Sequence, residues 1–173
     1  ASVPVPTHPG GSCTTYSLNG GSDTINPGLY CSISLSGGAN LVMNPGVYYL
    51  EGGNVNVSGN PSSSLVANEA MFYLDSGDFT MSGNGDIDIS APTSGPYAGL
   101  VLFMDRTNGG NISLTGNGSL NTDGTIYGAV SHLNVSGNGS STVLNSQIIV
   151  GTMTASGNGV VQLNYDQIGG YQG

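Results

Sequence analysis

The chain contains no lysine and no tryptophan, and Arg106 is its single Lys or Arg residue against ten Asp and Glu residues. The formal net charge of −9 gives the surface a negative field, which repels phosphate backbones and argues against nucleic-acid binding. Charged residues make up 6% of the chain and hydrophobic residues 37%, so the composition is also unlike that of a solvated disordered chain. We therefore expect one folded domain without a nucleic-acid partner.

Long apolar stretches are absent too. No run of 18 apolar residues and no basic amphipathic segment occurs, so the sequence predicts no membrane insertion. The chain begins at Ala1 without a basic segment followed by an apolar one, and we expect a mature exported protein.

The feature that is present in abundance is a repeat. A Ser-Gly-Asn tripeptide or a near copy returns six times, and four of the five intervals are 20 to 24 residues. The copies start at Ser36, Ser58, Ser82, Thr115, Ser136 and Ser156. A fixed period of this length is typical of a stacked solenoid, in which each repeat covers the apolar face of its neighbour.

Each tripeptide follows a short segment that reads apolar, polar, apolar, such as Val55-Asn56-Val57 or Ile112-Ser113-Leu114. This alternation predicts a strand with one buried face. A second strand follows each corner, and most repeats add a third that is apolar throughout, such as residues 71–74, which suits a sheet covered on both sides. The sequence thus predicts an all-β, single-stranded parallel β-helix of about 6–8 coils with three short strands per coil.

Asparagines recur at the corners and at the ends of the second strands. Stacked amides can hydrogen-bond from coil to coil, so we predict Asn ladders. The predicted ladder residues are Asn60, Asn84, Asn117, Asn138 and Asn158 at the corners, with Asn44, Asn68, Asn121, Asn145 and Asn164 after the second strands.

Cys13 and Cys31 are the two cysteines, and their separation of 18 residues is close to one repeat. Adjacent coils would bring them together, so we predict a disulfide, with two buried free thiols as the alternative. A disulfide indicates an oxidising compartment and hence a secreted, extracellular or cell-surface protein.

Two regions depart from the repeat. Residues 1–11 contain Pro4, Pro6 and Pro9 and are predicted to form an extended arm. Three roles are open for it: a flexible leader, a cap on the β-helix, or a segment that binds a neighbouring molecule. Residues 12–173 form the predicted β-helix domain, with loops inserted around 91–99 and 106–111. Loops on a rigid scaffold often carry binding residues, and Tyr97, Asp105 and Arg106 are the candidates here.

Catalysis has weaker support in the sequence. Enzymes that act on polysaccharides often use paired carboxylates or a carboxylate with Arg or Lys, and the candidates here are Asp75, Asp78, Asp86, Asp88, Asp105 and Arg106. We interpret Asp86 and Asp88 as solvated charges on a strand, and Asp105 with Arg106 as a local ion pair. The sequence predicts no catalytic residue, no cofactor and no metal site, since no calcium-loop or zinc-ligand motif is present.

Several motifs in order resemble one family. Residues 44–48 (Asn-Pro-Gly-Val-Tyr), residues 91–99, Asp105-Arg106, residues 124–127 and the Ser-Gly-Asn corners are similar to the C-terminal region of bacterial TadG-like proteins. These belong to the TadE/TadG group linked to tight-adherence pilus assembly, and the resemblance covers roughly Cys13 to Asn164. It implies a cell-surface or secreted protein that is not an enzyme.

An open β-helix has an unpaired strand edge at each end, and natural proteins must cover or use such edges. No amphipathic capping helix is visible in the sequence. The leading hypothesis is therefore a non-enzymatic extracellular subunit whose partner is itself, joined end to end or through the arm in a surface fibre. The alternatives are a monomeric adhesin that binds surface glycans and, with less support, a polysaccharide-degrading enzyme.

Overall fold

The computed structural model describes residues 3–137, 142–158 and 161–163, with 142–144 and 161–163 described as backbone. Within these residues all regular structure is β, and every strand pairing is parallel. The strands are β1 (Thr14–Ile25), β2 (Gly28–Met43), β3 (Gly46–Leu50), β4 (Val55–Gly59), β5 (Ser64–Ala67), β6 (Ala70–Leu74), β7 (Phe79–Gly83), β8 (Asp86–Ser90), β9 (Leu100–Met104), β10 (Asn111–Gly116), β11 (Leu120–Asp123), β12 (Thr125–Gly137), β13 (Thr142–Asn145), β14 (Ile148–Ser156) and β15 (Val161–Leu163).

The strands wind into a β-solenoid of about six turns, which confirms the predicted fold class. Three faces run along the axis. The first face holds β4, β7 and β10 with segments of β1, β2, β12 and β14; the second holds β5, β8, β11, β13 and β15 with segments of β1 and β2. The third face holds β3, β6 and β9 with the early segments of β2, β12 and β14.

The register follows from the alternation in the sequence. On the first face the inward positions form a column in which each residue pairs with the next one along the axis: Ile33, Val55, Phe79, Ile112, Leu133 and Met153. The first five are at most 1% exposed. At roughly 1.5–3 kcal/mol for each fully buried large apolar side chain, such columns supply the main stabilisation of the solenoid.

The third face is covered on both sides, as its continuous apolar strands predicted. Tyr48 and Phe72 point into the core, while their neighbours Tyr49 and Tyr73 belong to a separate cluster on the outer surface, yet they are 7% and 2% exposed. The cover is the N-terminal arm, because Val3 packs into that outer cluster. The arm therefore lies on the body of its own chain.

The corners require glycine where consecutive coils approach each other. Gly83 has φ +108°, and a Cβ there would clash with the carbonyl oxygen of Gly59 in the coil before it. Gly116 repeats this arrangement one coil later against Gly83. The Ser-Gly-Asn repeat thus combines a backbone conformation that suits glycine with the close spacing of the coils.

Cys13 and Cys31 form a disulfide with a Cα–Cα distance of 4.9 Å, which confirms that prediction. The bond ties the residue just before β1 to the fourth residue of β2. It therefore fixes the first coil to the second, at the end of the solenoid where β1 has a single paired neighbour.

Replacing both cysteines by serine (Cys13→Ser, Cys31→Ser) should lower the free energy of unfolding by about 3 kcal/mol, because an 18-residue separation is no longer constrained in the unfolded chain. Denaturant unfolding with and without a reductant measures the effect. The double variant serves as its own control, since a reductant should change the parent protein and leave the variant unaffected. Equal stability of the oxidised and reduced parent would contradict the prediction.

Candidate functional site

The N-terminal end of the solenoid presents an open strand edge. Among the described residues, β1 pairs with β2 on one side and with no strand on the other. The inward residues Tyr16 and Leu18 continue the core columns of Ile33 and Leu35, but they are partly exposed because no further coil covers them. This end therefore offers both backbone hydrogen-bonding groups and apolar side chains.

The C-terminal end of the solenoid also presents an open strand edge among the described residues. Within the described part of the chain, β14 pairs with β12 and β15 pairs with β13, each through one edge. Met153 pairs with Leu133 and so occupies the next inward position, yet it is 40% exposed whereas Leu133 is 0% exposed. Ala155 follows Val135 in the same way and is also exposed.

Few charges lie in the strands at the two open edges. β14 and β15 contain no charged residue and no proline, and β1 contains one charge, Asp23. Asp23 is engaged within its own strand, because it accepts a hydrogen bond from the Tyr16 hydroxyl at 2.9 Å and another from the Thr24 amide at 2.8 Å. Lysine, proline and inward-pointing charges are the usual protection of edge strands. Lysine and proline are absent from these three strands, and Asp23, which pairs with the buried Leu41 and so occupies an inward position, is the one charge of this kind.

The outer surface of the third face carries a row of aromatic rings that meet edge-on or tilted from coil to coil. This outer aromatic row consists of Tyr49, Tyr73, Phe103 and Tyr127, which pair from coil to coil with ring centroids 4.8–5.2 Å apart. The first three rings are buried in a cluster that also contains Val3 of the arm, while Tyr127 is partly exposed. Ile149 continues the row after Tyr127 and is 41% exposed.

Arg106 holds the far end of the arm. Its Nη2 donates a hydrogen bond to the carbonyl oxygen of Val3 at 2.7 Å, and its guanidinium carbon lies 5.5 Å from the centre of the Phe103 ring. At the other end of the arm, His8 Nε2 lies 3.4 Å from Glu51 Oε1, and its ring meets the Tyr49 ring edge-on. Arg106 therefore has a structural partner in the arm.

Asp105 does not form the expected ion pair with Arg106. Its carboxylate instead accepts hydrogen bonds from the amide and hydroxyl of Thr107, at 2.9 and 2.7 Å, and from the Tyr73 hydroxyl at 2.8 Å. The prediction of a local pair was wrong because these neutral donors lie within the same turn and on the adjacent coil. The bonds from Thr107 are the main reason that the pKa of Asp105 is lowered, and Tyr73 and Arg106 contribute.

Tyr97 lies in the connection 91–99, which is closed by backbone hydrogen bonds such as the one from the Gly99 amide to the Pro92 carbonyl oxygen at 2.8 Å. Its side chain packs against the outer cluster beside the aromatic row and is partly exposed. The structure thus brings all three candidate binding residues, Tyr97, Asp105 and Arg106, to the outer surface of the third face. Two of them take part in holding Tyr73 and the arm.

The other candidate carboxylates are tied to neighbouring coils. Asp75 accepts from the Gly52 amide at 2.8 Å, Asp78 from the Asn111 amide at 2.7 Å, and Asp88 from the Asn121 side chain at 2.8 Å. Asp86 is exposed. In the described ranges, no three His, Cys, Asp or Glu side chains come together as ligands for a metal ion.

Two clefts lie near the Ser-Gly-Asn corners, where Ser63, Gly85 and Ile87 line one and Gly83, Gly116 and Leu120 line the other. Each has a volume of about 10 Å³, which is room for about one water molecule. Neither cleft can admit a sugar ring.

The Asn ladder is present in part. Asn117 donates to Asn84 at 3.0 Å, and Asn44 donates to Asn26 at 2.8 Å. Other predicted positions have different partners. The Asn121 side chain donates to Asp88, Asn68 Oδ1 accepts from the Ser90 hydroxyl at 3.5 Å, and Asn60 Oδ1 accepts from the Ser62 amide within its own turn at 3.0 Å. Asn145 and Asn158 lie in the last described coils, and Asn138 and Asn164 lie outside the described residues.

The sequence did not reveal that the arm lies on its own body. One signal was available, since the apolar third strands required an outer cover. The partner could not be identified, because Val3 and Arg106 are 103 positions apart and neither belongs to the repeat.

Comparison of the chain with protein-family models, with curated proteins and with solved structures finds no match. The resemblance to TadG-like proteins therefore stays a prediction. No helix in the described residues is long and apolar enough to cross a membrane.

Replacing Arg106 by alanine should release the far end of the arm, because the bond to Val3 and the contact with Phe103 are both lost. Docking of the arm should weaken by about 2 kcal/mol. Hydrogen exchange and limited proteolysis of residues 3–9 measure the release. Arg106→Lys is the matched control and should be intermediate, since it keeps the charge but loses the planar fork. An arm equally protected in all three proteins would show that Arg106 does not hold it.

The tyrosines predict loss of stability in alkali. Partial burial and the bond to Asp23 raise the pKa of Tyr16 to about 12, and burial raises the pKa of Tyr48 and of Tyr73 as well. A raised folded-state pKa stabilises the fold below the unfolded value of about 10, and this contribution is lost as the pH rises above it. The part of the tyrosinate absorbance that comes from Tyr16, Tyr48 and Tyr73 should therefore appear together with loss of the β-sheet circular dichroism. Ionisation of every tyrosine near pH 10 with the fold intact would contradict this.

Proposed function

We propose that this chain is a non-enzymatic, extracellular structural protein that stacks end to end into a bacterial surface fibre or pilus-like filament. The observation that carries the proposal is the pair of unpaired, uncapped strand edges that the described residues present at the two ends, β1 at one and β14 with β15 at the other. The strands at both ends run in the same direction, so one copy can add to another as a further coil would.

The two ends also match in register. In a stack, Met153 would meet Tyr16 and Ala155 would meet Leu18, because these pairs occupy the same two inward columns of the first face. The outward position Thr154 would likewise follow Ser17. Such a contact joins different surfaces of two copies, and a head-to-tail contact that does not close into a ring generates an open filament.

The energetics favour association. Partly exposed apolar side chains at both ends would leave water, and the free amide and carbonyl groups of the edge strands would pair. Asp23 is the single charged residue in the three end strands; it occupies an inward position, where its carboxylate accepts hydrogen bonds from the Tyr16 hydroxyl and the Thr24 amide. The net charge of −9 is carried mainly by the sides of the solenoid, where it limits lateral aggregation.

An extracellular location is supported by the Cys13–Cys31 disulfide, which persists in oxidising compartments. The resemblance to TadG-like proteins supports a bacterial cell surface and an association with pili. The lack of an enzymatic role is supported by the separate structural partners of Asp75, Asp78, Asp88 and Asp105.

The second candidate is a monomeric glycan-binding adhesin. It is favoured by the partly exposed rings of Tyr97 and Tyr127 on the outer surface, which could stack on a sugar. Asp105 and Arg106, however, are engaged with Tyr73 and the arm. No strand among the described residues pairs with the open edges of β1, β14 and β15, and we therefore place the fibre first.

Met153→Glu tests the fibre directly, because stacking would bury its carboxylate without a partner. A cost of about 3 kcal/mol should raise the protein concentration needed for assembly by about 100-fold. Light scattering and negative-stain microscopy measure assembly, and circular dichroism checks that the variant folds. The matched control is Thr154→Glu, which adds the same charge at the next residue on the outward side and should assemble far better.

A parent protein that remains monomeric at high concentration would refute the fibre. Equal assembly of the two glutamate variants would show that fibres form through other surfaces. Binding of the parent monomer to surface polysaccharide, lost on Tyr97→Ala, would instead support the adhesin.

A further inference from the structure

We propose that Asp23 makes end-to-end assembly depend on pH: its carboxylate weakens stacking at neutral pH, and protonation of this group in acid strengthens it. The inference rests on the proposed end-to-end stacking and names how that contact is regulated. Its basis is the one charged side chain at an inward position of the open N-terminal edge.

Asp23 departs from an otherwise apolar column on the second face. Along the axis, the same inward position is occupied by the buried residues Leu41, Leu65, Ile87 and Leu120. Asp23 itself is exposed, because among the described residues no strand pairs with the outer edge of β1. The carboxylate is therefore in contact with water in a single copy, and a further copy added at this end would cover it.

Two hydrogen bonds hold the carboxylate in this position. The Tyr16 hydroxyl donates to Oδ2 at 2.9 Å, and the Thr24 amide donates to Oδ1 at 2.8 Å. Tyr16 occupies an inward position on the first face, so its hydroxyl reaches across the open end of the core to the second face. An ionised carboxylate can accept about four hydrogen bonds. Water completes the set at an exposed edge, and stacking would remove that water.

No cation is placed in the adjoining strands to compensate the charge of Asp23. β1 and β2 contain no Lys, Arg or His, and neither do β14 and β15 at the other end. Apart from Asp23, the titratable groups of β1 and β2 are the Tyr16 and Tyr30 hydroxyls, since Cys31 is in the disulfide. Burial raises the pKa of both tyrosines, that of Tyr16 to about 12, so both stay neutral in acid and at neutral pH.

Stacking would bury the carboxylate against the C-terminal edge. β15 is the last described strand of the second face, and Val161 holds the register position in β15 that corresponds to Asp23 in β1. The backbone of β15 would therefore cover Asp23 in the same contact in which Met153 meets Tyr16. Burial favours the uncharged form of a carboxyl group. By linkage, protonation must then favour the buried, assembled state.

Assembly of the full-length protein at about pH 3 and pH 7, followed by light scattering and negative-stain microscopy, measures the effect. The parent should form fibres at a concentration about tenfold lower at pH 3 than at pH 7. Asp23→Asn removes the charge at nearly constant side-chain size, and at pH 7 it should assemble at a concentration about tenfold lower than the parent. At pH 3 the two proteins should assemble alike, because the carboxyl group of the parent is then largely protonated.

A matched control is needed because acid also reduces the net charge of −9 and so the repulsion between copies at any contact. Asp86→Asn changes the net charge by the same amount at an exposed, outward position of the second face. It should keep the assembly concentration and the pH dependence of the parent. Circular dichroism checks the fold of each variant. Asp23→Leu, which continues the column of Leu41, is used if Asp23→Asn does not fold.

The outcomes separate this inference from the fibre itself. Equal assembly of the parent and Asp23→Asn at pH 7 would overturn the role of Asp23 and leave the fibre intact. An equal gain from Asp86→Asn would show that net charge, and not burial of the Asp23 carboxylate, controls assembly. If the parent and Asp23→Asn both stay monomeric at pH 7 and at pH 3, the fibre and this inference are overturned together.

Discussion

The structure depends on the parallel pairing of backbone strands from coil to coil. This pairing places an apolar side chain at the same inward position in each coil. Because the first-face column from Ile33 to Leu133 is buried by the rungs above and below, each coil is stable through its neighbours. The same dependence leaves Met153 and Tyr16 incompletely covered at the ends. A stacked fold of this kind ends either in a cap or in another copy of itself, and we propose that this chain ends in another copy.

The arm adds a second constraint on the third face. Without it, the rings of Tyr49, Tyr73 and Phe103 would form a continuous apolar strip along the side of the solenoid, and such strips promote sideways association. With the arm in place this strip is covered, which favours the end-to-end association that we propose. Arg106, the single Lys or Arg residue of the chain, holds the arm in place through its hydrogen bond to the Val3 carbonyl oxygen.

The repeat alone was sufficient to predict the solenoid, because alternation, period and glycine corners all report local geometry. The Cys13–Cys31 disulfide followed from the same period. Interactions outside the repeat could not be predicted from the sequence in the same way. Asp105 and Arg106 were expected to pair with each other as neighbours, but their partners, Tyr73 and Val3, are brought to them by the winding of the chain and by the fold-back of the arm. The Asn ladder was predicted as a continuous column, whereas Asn60 satisfies its own turn and Asn121 bonds an aspartate.

Electron cryomicroscopy of the native assembled protein tests the central claim most directly. The account predicts filaments in which rungs about 4.8 Å apart continue without a break from β14 of one copy to β1 of the next. Single particles with both ends covered, or filaments whose copies touch through their sides, would contradict it.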